Sequence, residues 1–230
     1  HTRFKCDWSS DVCSSDLDVV EFMAGRLLKL PTATQEVLKL AACIGDRFDL
    51  ETLATVCQES EEQIASDIWT SLQEGLILPM NEAYKFFSDR VQETQAQTVT
   101  VSYRFLHDRV QQAAYSLIPQ ERKREAHLQI GQLLLEKIPE SEKAEKLFDI
   151  VNQINIGVEL ITDEAERDRL ASLNLQAGTK AKLATAYTAA LKYFDMGLGL
   201  LPKDCWQQCY SLALTLHENA AEAAYLAGNR

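Results

Sequence analysis

Glycine and proline are scarce in this chain of 230 residues, with 9 Gly and 5 Pro. That scarcity excludes collagen-like and Gly/Pro-rich linker classes. Long apolar runs are missing too: stretches such as Leu40–Gly45 and Gly75–Met80 fall far short of the ~20 residues that span a bilayer. The beginning of the chain lacks the basic-then-apolar order of a secretory signal. Positive charge is in deficit, with 23 Lys+Arg against 34 Asp+Glu and a formal net charge of −11. Nucleic acid is therefore an unfavourable partner, because phosphate contacts need a surplus of Lys and Arg on the binding face. Six cysteines in a chain of this length do not make a disulfide scaffold.

Chemical motifs are as sparse. None of the nine glycines precedes a lysine, so a Gly-Lys-Ser/Thr phosphate loop does not exist. No Gly-x-Gly-x-x-Gly occurs; Gly197 and Gly199 stand as an isolated pair. The histidines are His1, His107, His127 and His217, with no two at ligand spacing. Cys205 and Cys209, four apart and expected on one helix, lack the second pair a structural zinc site needs. No metal and no resident cofactor are expected, and nothing marks the chain as an enzyme.

What is there is a folded chain, 46% hydrophobic, long enough for one large or two small domains. It opens on His1, and the segment Asp7-Trp8-Ser9-Ser10-Asp11-Val12-Cys13-Ser14-Ser15-Asp16-Leu17 has neither helical nor strand periodicity. Residues 1–17 read as a non-native tail resembling a translated sequencing adapter, the alternative being a real Ser/Asp-rich tail. The remaining residues read as a piece of a longer protein, their last helical pattern running into Arg230. With Cys6 and Cys13 set aside, four free thiols fit a reducing cytoplasm.

From Asp18 the pattern is helical, with Val20, Met23, Ala24, Leu27 and Leu28 on one face until Pro31. A second helix carries Val37, Leu38, Leu40, Ala41 and Ile44 and stops at Gly45. A short helix over Glu51–Cys57 follows. Ser60 with Gln63 three residues on resembles a capping box, opening a third helix lined by Ile64, Ile68, Trp69 and Leu72. Gly75 ends it, and Leu76-Ile77-Leu78 reads as a strand, as do Tyr84–Phe87 and the β-branched and aromatic run Val99–Phe105. Helices followed by short strands around a loop is the order of a winged helix, placed at residues 18–118. Its third helix carries Glu61, Glu62, Asp67 and Glu74 without Lys or Arg, and residues 18–118 hold 8 Lys/Arg against 15 Asp/Glu, a net of −7. A recognition helix in the major groove needs donors, so this module is expected to pack within its own protein.

Residues 119–230 read as helices throughout: Glu121–Lys137 with Ala126, Ile130, Leu133 and Leu134 inward; Ser141–Leu160 with Ala144, Leu147, Phe148, Val151, Ile154 and Val158; then Asp163–Leu183. Between Ala171 and Asp204 the offsets of Ala177-Gly178, Ala181, Ala190, Phe194, Gly197 and Pro202 match a tetratricopeptide repeat, in which small residues let two helices touch and an aromatic fills the gap. Asn174 and Ala181 stand where large aromatics are usual. A second unit is expected near Trp206, with Ala221, Ala224 and Gly228 as small positions. Repeats bury their faces only against neighbours, so apolar surface is expected to stay uncovered over Trp206–Arg230. The expected fold class is mainly α: a winged-helix-like module with a small β wing, followed by a tetratricopeptide-like solenoid.

Leu106-His107-Asp108 is the one constellation with a chemical reading. It lies where the last strand turns into the helix that runs to Ile118. A helix N-terminus attracts phosphate through free amides and dipole; His107 adds a donor and Asp108 complements the dipole and orients the imidazole. The alternative is a capping Asp beside a structural His.

Three segments carry a family resemblance: Leu38-Lys39-Leu40-Ala41-Ala42-Cys43-Ile44-Gly45, Leu72-Gln73-Glu74-Gly75-Leu76-Ile77, and Tyr103 through Tyr115 around Leu106-His107-Asp108. Through them residues 18–230 resemble the region after the nucleotide-binding domain of signal-transduction ATPases with numerous domains. More narrowly, they resemble large bacterial multi-sensor kinases that join a serine/threonine kinase, an AAA-like ATPase, helical repeats, a GAF sensor and a histidine kinase. The resemblance implies that His107 senses the β-phosphate of ADP held by an upstream ATPase domain, with Asp108 beside it. It also implies repeats that take a peptide or protein in their groove or relay a change to downstream signalling domains. Two other readings stay open: a free-standing repeat scaffold, and a histidine phosphoacceptor segment, since Leu106–Gln112 is also similar to the phosphoacceptor box of some sensor kinases.

Overall fold

The computed structural model describes residues 14–80 and 101–228. Most of them are helical. The chain divides into two compact units, one ending at Pro119 and the other beginning at Gln120.

In the first unit α1 (Ser14–Leu27) leads through a turn into α2 (Thr32–Ile44). The Gln35 amide of α2 reaches back to donate to the Leu28 and Leu30 carbonyls at 3.2 and 2.8 Å, satisfying acceptors that the end of α1 leaves open. Strand β1 (Arg47–Asp49) runs directly into α3 (Leu50–Cys57), capped by Asp49, whose carboxylate accepts from the Thr52 amide at 2.6 Å. Next comes α4 (Glu61–Gln73), capped by the Ser60 hydroxyl, which accepts from the Gln63 amide at 3.3 Å. Only half of the expected capping box forms, because the Gln63 side chain donates to Asp67 at 3.0 Å instead of returning to Ser60. Gly75, at φ +65°, takes the left-handed turn that ends this helix, with the Leu76 amide on the Ser71 carbonyl at 2.9 Å.

Strands β2 (Ile77–Pro79) and β3 (Ser102–Phe105) complete a three-stranded antiparallel sheet in the order β1-β3-β2. Its register sets Arg47 opposite Arg104, Phe48 opposite Tyr103, and Ile77 opposite Phe105. Period-2 alternation turns Phe48, Tyr103, Phe105 and Ile77 inward. There Phe48 stacks on Tyr103 at 6.0 Å and tilts against Phe105 at 5.6 Å. Helix α5 (Asp108–Ser116) closes the unit by packing on α1 and α2 through Val110, Ala113 and Ala114. The strand expected at Tyr84–Phe87 lies outside the described residues.

The second unit is a run of antiparallel helices: α6 (Gln120–Lys137), α7 (Glu140–Ile156), a 3-10 turn (Val158–Leu160), α8 (Glu164–Leu183), α9 (Tyr187–Leu200), the single turn α10 (Cys205–Gln208) and α11 (Tyr210–Leu226). Small residues set how closely they approach. A Cβ on Gly131 of α6 would lie 2.4 Å from the Ile154 side chain of α7, and one on Gly178 of α8 would lie 2.4 Å from the Phe194 ring of α9. Phe194 is fully buried between them. Asn174 of α8 is buried in an amide pair with Asn155 of α7. Asn155 and Asn174 donate to each other at 2.8 and 2.9 Å, and Asn174 also donates to the Leu170 carbonyl at 3.0 Å. This amide clasp fixes α8 against α7.

Several expectations need correction. Helical structure starts at Ser14, inside the segment read as aperiodic. Leu28 and Trp69 are exposed, at 58% and 41%: Leu28 falls past the last turn of α1, and Trp69 follows the buried Ile68 round to the outer face. Ala144 is exposed. Helix α7 ends at Ile156, so Val158 sits half-buried on the following turn. A Cβ on Gly157 would lie 2.7 Å from both the Arg124 carbonyl and Leu128, so the close crossing of α6 is what ends it there. Cys205 and Cys209 do not share a helix, since Cys209 at φ −135° breaks the chain between α10 and α11. On α11 the buried small residues are Ala213, Ala220 and Ala223, while Ala221 is exposed and Ala224 half-buried. The stripe is therefore shifted from the expected one.

Candidate functional site

The Leu106-His107-Asp108 tripeptide is held by backbone on both sides. The Phe105 amide donates to the Asp46 carbonyl at 3.0 Å, and the Leu106 amide to the Leu76 carbonyl at 2.9 Å, so the sheet clamps the entry. The chain stays extended through His107, at φ −149° and ψ 147°, and then turns into α5. The His107 carbonyl accepts from Val110 at 2.9 Å and Gln111 at 3.4 Å, which makes His107 the N-cap residue. Its imidazole makes no capping hydrogen bond. On the far side, Val110, Ala113 and Ala114 bury the inner face of α5, and the Gln111 amide donates to the Ala42 carbonyl of α2 at 3.2 Å. The tripeptide thus rides on a fixed frame.

All three side chains of the tripeptide are exposed. Among the described residues neither the His107 nor the Asp108 side chain has a hydrogen bond or ion pair, and the two side chains are not bonded to each other. The expected orientation of the imidazole by Asp108 is absent. Asp108 instead occupies the first turn of α5, where a negative charge is favoured by the helix dipole. The Val110 amide of the first turn is taken by the His107 carbonyl, so what the start of α5 presents to solvent is the exposed imidazole beside one carboxylate. The imidazole can donate a hydrogen bond to an anion's oxygen.

The second unit offers a cleft of about 430 Å³ between α6, α7 and α8. Leu135, Ile154, Leu170 and Leu173 line it, with Glu136 and Arg169 on its rim. Gln132 bonds Glu166 across it.

Among the buried polar residues that the sequence did not reveal is a histidine. His127 of α6 is 4% exposed, with Nδ1 2.6 Å from the Gln153 Oε1 of α7. Burial pushes its pKa below the usual histidine value, with Lys123 adding to the shift and the Gln153 bond opposing it. Its spacing to Ile130 and Leu134 was the available signal. The thiol of Cys57 is pushed up to about 12 by burial and by nearby Glu59 and Asp67, and is therefore a poor nucleophile or ligand. Among the described residues no cluster of three or more His, Cys, Asp or Glu could hold a metal ion, and no helix is long and apolar enough to cross a membrane.

No protein-family model and no solved structure matches the chain. The chain is 30% identical over 255 residues to the hybrid signal transduction histidine kinase G of Dictyostelium discoideum. The alignment covers 92% of this chain. It covers 7% of the relative, so the chain spans only a small part of that protein's length.

Proposed function

We propose that this chain is a non-catalytic regulatory and protein-interaction segment of a multidomain signal-transduction ATPase and kinase working in the cytoplasm. The observation that carries the reading is the similarity of nearly the whole chain to a short stretch of a hybrid histidine kinase. The first unit acts as a winged-helix-like module against an upstream ATPase domain of the same protein. His107, exposed at the start of α5, contacts the β-phosphate of ADP bound in that domain, and Asp108 sets the charge beside it. ADP and ATP are thus ligands of the upstream domain, and the segment holds no cofactor of its own. A contact made with one nucleotide state and not the other is what gives a switch its bias.

The second unit acts as a tetratricopeptide-like solenoid. Its cleft between α6, α7 and α8 takes a peptide or protein, or passes the change of state to downstream signalling domains. Two features support this division of labour. The imidazole of His107 is free and rigidly presented, and α4 carries four acidic residues or flanks and no base, which fits a protein neighbour better than DNA.

The test is His107→Ala in the full multidomain protein. ADP is expected to bind more weakly and basal signalling to rise. Unchanged ADP affinity would refute the role of His107. Acid-labile phosphate retained on His107, and lost in His107→Gln, would replace it with the phosphoacceptor reading.

A further inference from the structure

The outer face of the three-stranded sheet carries a pair of arginines that the fold does not explain. In the β1–β3 ladder the Phe105 amide bonds Asp46 and the Leu50 amide bonds Val101, at 3.0 and 2.8 Å. Arg47 and Arg104, opposite each other in register, therefore form a non-hydrogen-bonded pair. Such pairs have their Cα atoms ~4.5 Å apart and their side chains close together. Like charges directly opposite on a sheet destabilise it. Both residues are exposed. The only carboxylate that the Arg47 side chain reaches within ion-pair distance among the described residues is Asp46, at a loose 3.6 Å. The Arg104 side chain has no ion pair or hydrogen bond among the described residues. By contrast, Arg26 and Lys39 in the same unit hold Glu74 and Glu36 at 3.0 and 2.8 Å. In a module with a large acidic excess, two guanidinium groups are set side by side without the partners that acidic residues supply elsewhere.

We propose that Arg47 and Arg104 form a binding site for the diphosphate group of a nucleotide on the outer face of this sheet. Each guanidinium presents a planar fork that matches one phosphoryl group bidentately. Two forks from adjacent strands match two adjacent phosphoryl groups, and the bound anion removes the repulsion between the arginines. Asp46 competes for Arg47 and keeps the empty site weak. Asp49 lies on the same face, but its carboxylate is engaged by the Thr52 amide. The site uses neither His107 nor Asp108, so it goes beyond the function proposed above and can fail separately.

The experiment is a titration of the nitrogen-15-labelled chain with inorganic pyrophosphate at constant low ionic strength, following the arginine Nε–Hε signals. Saturable shifts are expected for Arg47 and Arg104. Arg47→Gln and Arg104→Gln should each raise the Kd at least fivefold, Arg104→Lys should lie between, and Asp46→Asn should lower it. Lys29→Gln, removing an exposed cation elsewhere on the unit, should change nothing. ADP should titrate like pyrophosphate, and O-phosphoserine at least fivefold more weakly. Without anion, Arg104→Gln should melt at the same temperature as the parent chain or higher. The proposal is overturned by absent or unsaturable shifts, by Lys29→Gln weakening binding as much as Arg104→Gln, or by phosphoserine matching pyrophosphate. It is also overturned if His107→Ala abolishes pyrophosphate binding, a result that would leave the His107 reading standing alone.

Discussion

Replacing Gly178 by alanine probes the closest helix contact in the second unit. Built on the backbone, the new Cβ lies 2.4, 2.6 and 2.8 Å from three carbons of the Phe194 ring. Ordinary contact needs at least ~3.4 Å, so the ring or all of α9 must move by about 1 Å. Phe194 is fully enclosed and cannot swing aside as a long flexible chain would. Overpacking of this kind costs ~1–3 kcal/mol, and a clash against a fixed ring belongs at the upper end. Against it stands the gain of alanine over glycine in a helix, up to ~1 kcal/mol. The expected net loss is ~2 kcal/mol. Gly199 of α9, with nothing within 4 Å of its Cβ position, supplies the control: Gly199→Ala should stabilise by up to ~1 kcal/mol. Thermal unfolding followed by circular dichroism reads both, since 1 kcal/mol moves the Tm of a domain of ~100 residues by roughly 4–8 °C. Gly178→Ala should fall by roughly 10 °C and Gly199→Ala rise by a few. Equal melting temperatures for the two variants would refute the close approach of α8 and α9.

Other expectations follow from the buried polar groups. His127 has its pKa lowered in the fold, so below the ordinary histidine pKa of ~6.5 the unfolded chain binds the extra proton and stability falls as the pH drops. His127→Gln should remove that component, flattening the decline between pH 7 and 5 by at most ~1.4 kcal/mol per pH unit; an unchanged slope in urea denaturation would count against a buried neutral imidazole. Truncating one member of the Asn155–Asn174 clasp should cost ~1–3 kcal/mol by stranding the other amide. A double-mutant cycle with Asn155→Ala and Asn174→Ala should show the losses to be far from additive, and simple additivity would mean the two amides do not interact.

The helices of both units were legible because their apolar residues recur at helical spacing: Val37, Leu38 and Ala41 of α2, or Leu147, Val151 and Ile154 of α7, are buried as their spacing requires. Periodicity failed at the edges of that pattern. Trp69 neighbours a true core position, and one residue round the helix is enough to reach solvent. Where α7 stops was decided by the neighbouring α6, whose backbone fills the space beside Gly157, and no local signal reports a contact between distant segments. The Asn155–Asn174 clasp is hidden for the same reason: each amide alone looks like a surface residue, and only the approach of two helices buries and pairs them.

The candidate site was legible in part. Its location between β3 and α5 could be read because strand composition gives way to helical periodicity at His107, and the structure puts that residue at the N-cap. The expected link between Asp108 and the imidazole did not form, because the turn into α5 carries the carboxylate into the first helical turn. The arginine pair was not legible, since Arg47 and Arg104 stand far apart in sequence and meet only through strand register. Its sign even runs against the acidic balance of the module that contains it.

The claim at the centre of this account is that the first unit reads the nucleotide held by a neighbouring ATPase domain through the start of α5. Amide hydrogen exchange over residues 105–111, measured in the full multidomain protein loaded with ADP and then with a non-hydrolysable ATP analogue, addresses it directly. Slower exchange there in the ADP state, lost in His107→Ala, is the expected result. Identical exchange in the two nucleotide states would contradict it.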